Sequence, residues 1–271
     1  MPETRLDAAL AERGLARSRT HAAKLITDGL VTVDGAAQVK PSFRVSETAV
    51  IAVAGTDHYV SRGAHKLVAA LDAFALDPRG RVVLDAGAST GGFTQVLLER
   101  GAARVLAIDV GHGQLVSEIQ ENRRVVSIEG FNVRELTREW VVATLRSPEF
   151  STGEQGLPTM VVADLSFISL GLVLAPLRDS VAAGADFVLL VKPQFEVGRG
   201  GIREGIVRDA GARQDAVTGV LWEAWDLGLP TAGIIPSPIA GTAGNREYLV
   251  WLNSAHGSNP TDWIATVAEL T

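Results

Sequence analysis

Hydrophobic and polar positions in the first 56 residues predict a small unit of two helices and a hairpin. Apolar residues recur at helical spacing up to Gly14 and again behind Ser18, which is a residue type that favours a helix N-cap. Two short β-type runs then flank the turn pair Asp34-Gly35, which is typical of a hairpin. We therefore expect a small α+β domain over residues 1–56, followed by a linker over residues 57–60.

From residue 81 the pattern changes to a regular alternation of strands and helices. Apolar runs such as VVLD, RVLAID and DFVLLV are separated by segments whose apolar residues recur every three or four positions. Seven such strands predict an α/β domain with an open, mostly parallel, Rossmann-like sheet over residues 61–271. Ligands bind to such sheets beyond the carboxyl ends of the strands.

Two segments interrupt this alternation. Residues 147–158 are polar and lack apolar periodicity, so we expect a mobile insertion there. Residues 197–213 are rich in glycine and arginine and directly follow a strand. This second segment is either a flexible crossover or a loop that closes over the site or contacts RNA.

The run VVLDAGASTGGF, from Val82 to Phe93, predicts a nucleotide-type pocket because a buried strand there enters a glycine-rich turn before a helix. It lacks the G-x-G-x-x-G pattern of dinucleotide enzymes and the GKS or GKT of a P-loop. Asp109 ends the next strand, where a carboxylate is able to accept ribose hydroxyls. Asp85 would repel a phosphate and suits a cationic ligand, which favours S-adenosylmethionine. The expected cofactor residues are Asp85, Gly87, Ser89, Thr90, Gly91, Gly92, Phe93, Asp109, Val110 and Asp164.

Composition excludes several classes of protein. The chain has no cysteine, so disulfides, thiolate metal sites and the cysteine nucleophile used to methylate carbon five of pyrimidines are excluded. Its five histidines show no ligand spacing, and we expect no metal. No apolar run approaches the length of a membrane span, and the first residues lack the apolar core of a signal peptide. We expect a cytoplasmic protein without a membrane span.

The residues that follow the later strands limit which chemical group could accept the methyl group. Methylation of an exocyclic amine typically uses Asn/Asp-Pro-Pro-aromatic after the fourth strand, but this chain has Asp164-Leu-Ser-Phe there, so an oxygen acceptor remains. Lys192 closes the apolar strand DFVLLV and is either the partner of a buried acid or a catalytic base. We expect Asp164 and Glu247 near it, with Lys66 entering from the helix before the sheet.

The formal net charge of −6 argues mildly against non-specific coating of nucleic acid, but basic residues concentrate at the front of the chain. From charge alone, a solvated surface is the simpler interpretation. The segment RLDAALAERGLARSRTHAAKLITDGLVTVDGAAQVKP, however, resembles the small RNA-binding domain of ribosomal protein S4, which implies recognition of structured RNA. The residues expected to contact RNA are Arg5, Arg13, Arg17, Arg19, Lys24, Lys40 and Arg62.

Five further motifs, SRGAHKL, LDAGASTGGFT, ADLSFISL, LVKPQFEVG and GNREYLVWL, extend the resemblance over essentially the whole chain. Together they resemble the TlyA-type family of rRNA 2′-O-methyltransferases, also labelled haemolysins, whose catalytic half is similar to the FtsJ-type ribose methyltransferases. The resemblance implies a class I methyltransferase fold and a cytidine ribose as acceptor, in small-subunit rRNA, large-subunit rRNA or both. It places the family's catalytic tetrad on Lys66, Asp164, Lys192 and Glu247.

In the mechanism that the resemblance implies, Lys192 accepts the proton of the 2′-hydroxyl, and Asp164 and Glu247 orient it. Lys66 holds the nucleotide or balances the acids. The expected partner is rRNA within ribosomal subunits, and we expect a monomer. Two alternatives stay open at this point: a non-catalytic rRNA-binding assembly factor and a membrane-active haemolysin. Pseudouridine synthesis is a third reading of the RNA-binding domain, but the Arg5-Leu-Asp sequence that resembles its motif lies within the first helix.

Overall fold

The structure of the chain is a computed structural model, and it describes residues 3–16, 18–53, 58–146, 156–197, 205–241 and 244–271. Internal contacts divide the chain into two compact units, Met1–His58 and Tyr59–Thr271. Each unit has hydrophobic residues buried in a core of its own.

The first unit contains two helices and short antiparallel strands. Its described elements are β1 (Glu3–Arg5), α1 (Leu6–Glu12), α2 (Arg19–Thr27), β2 (Val31–Val33), β3 (Ala36–Gln38), β4 (Arg44–Ser46) and β5 (Ile51–Val53). The predicted hairpin is present as β2 and β3, and its turn residues Asp34 and Gly35 have φ of 50° and 83°. Positive φ at both turn positions matches the twist of the paired strands. The pairing of β1 with β4 was not predicted.

The second unit is built around a seven-stranded sheet. Its helices are α3 (Ala64–Ala73), α4 (Gly92–Glu99), α5 (Ser117–Gln120), α6 (Arg138–Arg146), α7 (Gly171–Asp179), α8 (Pro193–Glu196), α9 (Ala210–Asp226) and α10 (Ile264–Leu270). Its strands are β6 (Val82–Ala86), β7 (Arg104–Ile108), β8 (Val125–Ile128), β9 (Met160–Ala163), β10 (Asp186–Val191), β11 (Thr231–Pro236) and β12 (Tyr248–Leu252).

The strand order is β11-β12-β10-β9-β6-β7-β8. Neighbouring strands from β10 to β8 in this order are parallel, whereas β12 runs antiparallel to both β10 and β11. Hydrophobic clusters cover both faces of the sheet, which explains why its central strands are apolar at nearly every position. The predicted Rossmann-like, mostly parallel seven-stranded sheet is therefore confirmed.

The strand order reverses direction at β6. The chain proceeds from β6 to β7 and β8 on one side, and then places β9 and β10 on the other side. In open α/β sheets the crevice at such a reversal, beyond the carboxyl ends of the strands, is where ligands bind. Here that crevice lies between the segments that follow β6 and β9.

The two irregular segments are described only in part. Most of the predicted insertion, residues 147–155, lies outside the described residues, as do residues 198–204 of the glycine- and arginine-rich segment. The end of that second segment is helical, since α9 begins at Ala210. Arg213 is buried and donates to the carbonyl oxygens of Val207 and Arg208. The prediction of a loop through residue 213 is wrong at this end, because Arg213 is fixed within the fold.

Candidate active site

The crevice brings the glycine-rich turn against the Asp164 segment. Gly87 follows β6 and Asp164 follows β9, and the backbone N–H of Asp164 donates to the carbonyl oxygen of Ala86 at 3.2 Å. Gly87 has a φ of 85°, and a Cβ atom at this position would lie 2.7 Å from the carbonyl oxygen of Asp164. A side chain at residue 87 would therefore force the two segments apart.

Left-handed backbone continues this turn into α4. Ser89 and Gly91 have φ of 47° and 98°. A Cβ atom on Gly91 would lie 2.7 Å from Cδ1 of Ile119, and one on Gly92 would collide with Oγ of Ser61. Glycine thus lets the loop lie close to its neighbours while backbone N–H groups of the α4 N-terminus stay near the crevice.

Asp109 follows β7 and is held by this loop. Its Oδ2 accepts from the backbone N–H of Ser89 at 2.8 Å, and its Oδ1 accepts from that of Gly111 at 2.7 Å. A carboxylate has about four acceptor sites, so hydroxyl donors are still able to bind it. Val110, the next residue, is 70% exposed. Asp109 and Val110 therefore offer a hydrogen-bond acceptor and an apolar surface beside the loop.

Asp85 has a different setting from the one predicted. Its side chain is fully buried, and its Oδ2 accepts from the hydroxyl of Thr94 at 2.6 Å. Burial raises the pKa of Asp85 to about 7, with smaller contributions from the carboxylates of Asp164 and Asp109. Asp85 is not among the residues that line the cleft, so its contact with a cationic ligand stays a prediction.

Two lysines and two carboxylates form a continuous ion-pair cluster at the sheet edge. Nζ of Lys66 lies 2.7 Å from Oε2 of Glu247 and 3.4 Å from Oδ2 of Asp164. Nζ of Lys192 lies 2.6 Å from Oδ1 of the same Asp164. Lys66, Lys192 and Glu247 are 7%, 7% and 4% exposed. Charges buried to this degree require partners, and Asp164 supplies one to both lysines.

Strand direction explains how Glu247 reaches this cluster. In the antiparallel pairing of β10 with β12, Val191 lies opposite Tyr248. The residue after Val191 is Lys192 and the residue before Tyr248 is Glu247. The amino end of β12 is therefore at the same sheet edge as the carboxyl ends of the parallel strands, which places both side chains at one edge.

The segment after β9 adds a hydroxyl and an aromatic ring to the cluster. Nζ of Lys192 donates to Oγ of Ser166 at 2.8 Å. Phe167 is 91% exposed although it is a large apolar residue, and its φ is 64°. Its ring centroid lies 5.3 Å from that of Phe195. Phe167 is therefore a candidate for a ligand contact, because it combines an exposed ring with left-handed backbone in the segment that carries Asp164 and Ser166.

A cleft of about 330 Å³ joins the glycine-rich loop to the charged cluster. This volume falls within the range of small-molecule sites. The residues that line it are Ser61, Arg62, Gly63, Lys66, Gly87, Ala88, Ser89, Thr90, Gly92, Phe93, Asp164, Ser166, Lys192, Ile239, Ala240, Gly241 and Glu247. The predicted cofactor and catalytic residues thus meet in one cleft, except that Asp85, Gly91, Asp109 and Val110 support or flank it.

The predicted RNA contacts are spread over the first unit, apart from Arg62, which is exposed in the cleft. Arg5, Arg19, Lys24 and Lys40 are exposed. Arg5 and Arg19 pair with Asp7, and Lys24 pairs with Asp28. The guanidinium of Arg13 instead donates to the backbone carbonyl oxygens of Ala49, Ser46 and Glu47. Arg17 lies outside the described residues. The pattern indicates a structural role for Arg13.

Sequence reasoning missed Ser61, Ser166 and Gly241, which line the cleft, and the exposed Phe167, which follows Ser166. Three of them lie within motifs already singled out, namely SRGAHKL and ADLSFISL, so their signal was adjacency to the predicted catalytic residues. Gly241 had no such signal, because a Cβ atom there would collide with Glu247, which only the folded chain brings close.

Within the described ranges no group of three or more histidine, cysteine or carboxylate residues is arranged to hold a metal ion. Among these same residues, no helix has the length and apolar character needed to cross a bilayer.

Comparison with known families agrees with this division of the chain. Residues 59–254 match the model of the FtsJ-like methyltransferases, and residues 4–51 match that of the S4 domain.

Several relatives cover nearly the whole chain. The 16S/23S rRNA (cytidine-2′-O)-methyltransferase TlyA of Mycobacterium tuberculosis is 49% identical, covering 92% of this chain and 90% of the relative. Hemolysin A of Brachyspira hyodysenteriae is 36% identical over 90% of this chain and 98% of its own. A solved structure of a proposed hemolysin from Streptococcus thermophilus is 36% identical, with a TM-score of 0.74 and coverage of 99% and 96%.

Proposed function

We propose that this chain, which belongs to the FtsJ-like methyltransferase family and to its TlyA-type branch, methylates the ribose 2′-hydroxyl of a cytidine in ribosomal RNA. The observation that carries the proposal is the buried cluster of Lys66, Asp164, Lys192 and Glu247 beside a glycine-rich loop. Charged groups held in fixed positions at a cleft suit proton removal and transition-state stabilisation.

S-adenosylmethionine is the methyl donor that the cleft fits. Gly87 lets the glycine-rich loop lie against the Asp164 segment at the edge of the cleft, Asp109 retains acceptor sites for ribose hydroxyls, and no phosphate-binding signature is present in the loop. Ser89, Thr90, Gly91, Gly92, Phe93 and Val110 complete the proposed cofactor surface. When bound, the cofactor supplies a methyl group on a positively charged sulfur. Asp85 contributes through Thr94, by fixing the start of α4 from below.

Lys192 is the proposed base. A neutral lysine amine has two N–H bonds and one lone pair, and Asp164 and Ser166 provide an acceptor for each N–H. The lone pair would then be left to take the proton of the 2′-hydroxyl during methyl transfer, and Lys192 would end the reaction carrying that proton as a positive charge.

Lys66 and Glu247 complete the set of paired charges around Asp164 and Lys192. The cluster pairs two lysines with two carboxylates, Asp164 and Glu247. Negative charge on these carboxylates is favourable beside a sulfonium. Most of the acceleration would come from this electrostatic arrangement and from holding the two substrates in line.

Substrate recognition is divided between the two units. We propose that residues 1–56 grip structured RNA through Arg5, Arg19, Lys24 and Lys40, and that the linker at 57–60 joins them to the methyltransferase domain at 61–271. Within that domain Arg62 meets the RNA backbone, and the exposed ring of Phe167 provides a face on which a nucleobase stacks. With ribosomal subunits as substrate, the protein acts in the cytoplasm.

The test is methyl transfer from labelled S-adenosylmethionine to purified small subunits, large subunits and free rRNA, with the product mapped by a method specific for ribose 2′-O-methylation. We expect modification of a cytidine ribose by the native chain. Lys192→Ala should remove methyl transfer while calorimetry still detects cofactor binding. Full activity of Lys192→Ala, methylation of a base, or an absence of any transfer together with RNA binding would overturn the proposal, the last in favour of a non-catalytic assembly factor.

A further inference from the structure

Glu196 joins the two segments that carry the catalytic residues. It ends α8, four residues after Lys192, and its carboxylate reaches the segment that follows β9. Its Oε2 accepts from the hydroxyl of Ser169 at 2.6 Å, and its Oε1 accepts from the backbone N–H of Leu170 at 3.0 Å. These partners are 27 and 26 residues away in sequence, so the contact ties together two separate strand ends.

The Glu196 contact is the last of three that connect these segments. At the strand ends, Lys192 binds Asp164 and Ser166. In the middle, the ring of Phe167 packs against that of Phe195, and at the far end Glu196 binds Ser169 and Leu170. Only the first contact involves reacting groups.

Backbone strain at Phe167 explains why the contact of Glu196 with Ser169 and Leu170 matters. A φ of 64° is unfavourable for a residue with a side chain and persists where the surroundings over-determine it. The hydrogen bond of Ser166 with Lys192 fixes the chain just before Phe167, and the bonds of Glu196 fix it just after. Loss of either would let the segment relax towards ordinary backbone angles.

We propose that Glu196 is a positioning residue for methyl transfer: by binding Ser169 and Leu170 it holds Phe167 and Ser166 in place for the RNA nucleotide. The inference rests on the proposed function, because it concerns the nucleotide end of the same cleft. It predicts that loss of Glu196 lowers kcat/KM for RNA and has little effect on the affinity for S-adenosylmethionine.

The experiment compares Glu196→Ala, Glu196→Gln and Glu223→Ala in the full chain, with ribosomal subunits as acceptor. Glutamine keeps an acceptor for Leu170 and a donor for Ser169, whereas alanine keeps neither. Glu223 is an exposed carboxylate on α9 that lies against Gly171, at the same end of α7, and serves as the matched control. We expect Glu196→Ala to lower kcat/KM for RNA by about tenfold to a hundredfold. Glu196→Gln should recover most of that loss, and Glu223→Ala should match the native chain.

Further readouts separate positioning from folding. The Kd for S-adenosylmethionine and the Tm of Glu196→Ala should stay close to native values. The double variant Glu196→Ala/Phe167→Ala should lose less kcat/KM for RNA than the product of the two single fold-losses, because both substitutions act on the same segment. If Glu196→Ala does not fold, Ser169→Ala removes the hydroxyl partner of Glu196, together with the acceptor for the backbone N–H of Gly171, and should give a smaller loss of the same kind.

Native kcat/KM in Glu196→Ala or Ser169→Ala, equal losses in the alanine and glutamine variants, or a loss matched by weaker cofactor binding would overturn the inference. These outcomes differ from a native chain that fails to methylate RNA at all, which would overturn the proposed function itself.

Discussion

Nζ of Lys66 lies 2.7 Å from Oε2 of Glu247, although the two residues are 181 positions apart in sequence and both side chains are buried. Removing one member of such a pair leaves an uncompensated charge in the interior. We expect Lys66→Ala to lower the free energy of unfolding by about 3–5 kcal/mol, measured by urea denaturation. The double variant Lys66→Met/Glu247→Leu should regain much of that stability but remain inactive.

A pair on the surface provides the control for this prediction. Arg100 and Asp72 lie 2.7 Å apart, with side chains 40% and 57% exposed. Arg100→Ala should change the free energy of unfolding by less than about 1 kcal/mol, since water screens exposed pairs. Equal costs for Lys66→Ala and Arg100→Ala would contradict the buried-pair argument.

The close approach of Gly87 to Asp164 predicts a steric effect that can be separated from a conformational one. Gly87 and Gly113 both have positive φ, but a Cβ atom on Gly113 would have nothing within 4 Å. Gly113→Ala should cost about 1–2 kcal/mol for its backbone conformation alone. Gly87→Ala should cost more and should also weaken cofactor binding in calorimetry, because the displaced atoms belong to the cleft. Equal effects of the two substitutions would contradict this account.

Asp85 predicts a pH dependence of stability. Its ordinary pKa is 3.8 and burial raises it to about 7, so between these values the folded chain binds more protons than the unfolded chain. Stability is therefore fully present below pH 4 for this group and is lost as pH rises towards 7. Asp85→Asn should remove that loss and raise the unfolding free energy at pH 8 by up to roughly 4 kcal/mol.

The measurement is urea denaturation of both proteins from pH 5 to pH 8, with the exposed Asp226→Asn as a control. The difference between Asp85→Asn and the native chain should grow with pH, while the control should follow the native curve. Parallel curves for Asp85→Asn and the native chain would show that Asp85 does not titrate in this range.

Phe167 should be dispensable for stability and required for activity. Phe167→Gly relieves the unfavourable backbone angle, so Tm should stay the same or rise. Loss of a stacked base costs about 1–3 kcal/mol, which corresponds to a decrease of roughly 5- to 150-fold in kcat/KM for RNA. Phe167→Tyr keeps the ring and should retain most activity. If Phe167→Ala methylates subunits at the native rate, the stacking role is wrong.

Arg13 and Lys40 should differ although both were predicted to contact RNA. Arg13→Ala removes three bonds to backbone carbonyls and should lower the stability of the first unit. Lys40 is exposed, so Lys40→Ala should leave Tm unchanged. The affinity of the Lys40→Ala variant for RNA should fall at low salt. The slope of log Kd against log salt concentration should decrease by roughly 0.7–1. An unchanged slope would remove Lys40 from the interface.

The strand pattern alone anticipated some of the site and not the rest. Asp164 and Lys192 each follow an apolar run, and carboxyl ends of parallel strands meet at one edge, so their proximity was predictable. Glu247 depended on β12 running in the opposite direction, which alternation of strands and helices does not reveal. The expectation that Glu247 lies near Lys192 rested on its place at the head of EYLVWL, and its catalytic role came from the motif resemblance.

Asp85 illustrates a different limit. Side chains alternate between the two faces of a strand. Because β6 is apolar on both faces, its sequence does not reveal on which face the side chain of Asp85 lies. The bonds of Glu196 to Ser169 and Leu170 are likewise absent from any local pattern, because they join residues that only the folded sheet brings together.

The position of β12 has a consequence for how the protein becomes active. This strand pairs on both sides, between β10 and β11, yet it follows the other six strands of the sheet in sequence. A nascent chain that has not yet reached Glu247 lacks one of the two carboxylates that pair with Lys66, and β10 and β11 have no partner between them. The proposed catalytic centre is therefore completed only after Glu247 has been synthesised, by a long-range strand insertion of the kind that folds slowly. An incomplete chain that already carries a folded RNA-binding unit has no competent catalytic centre.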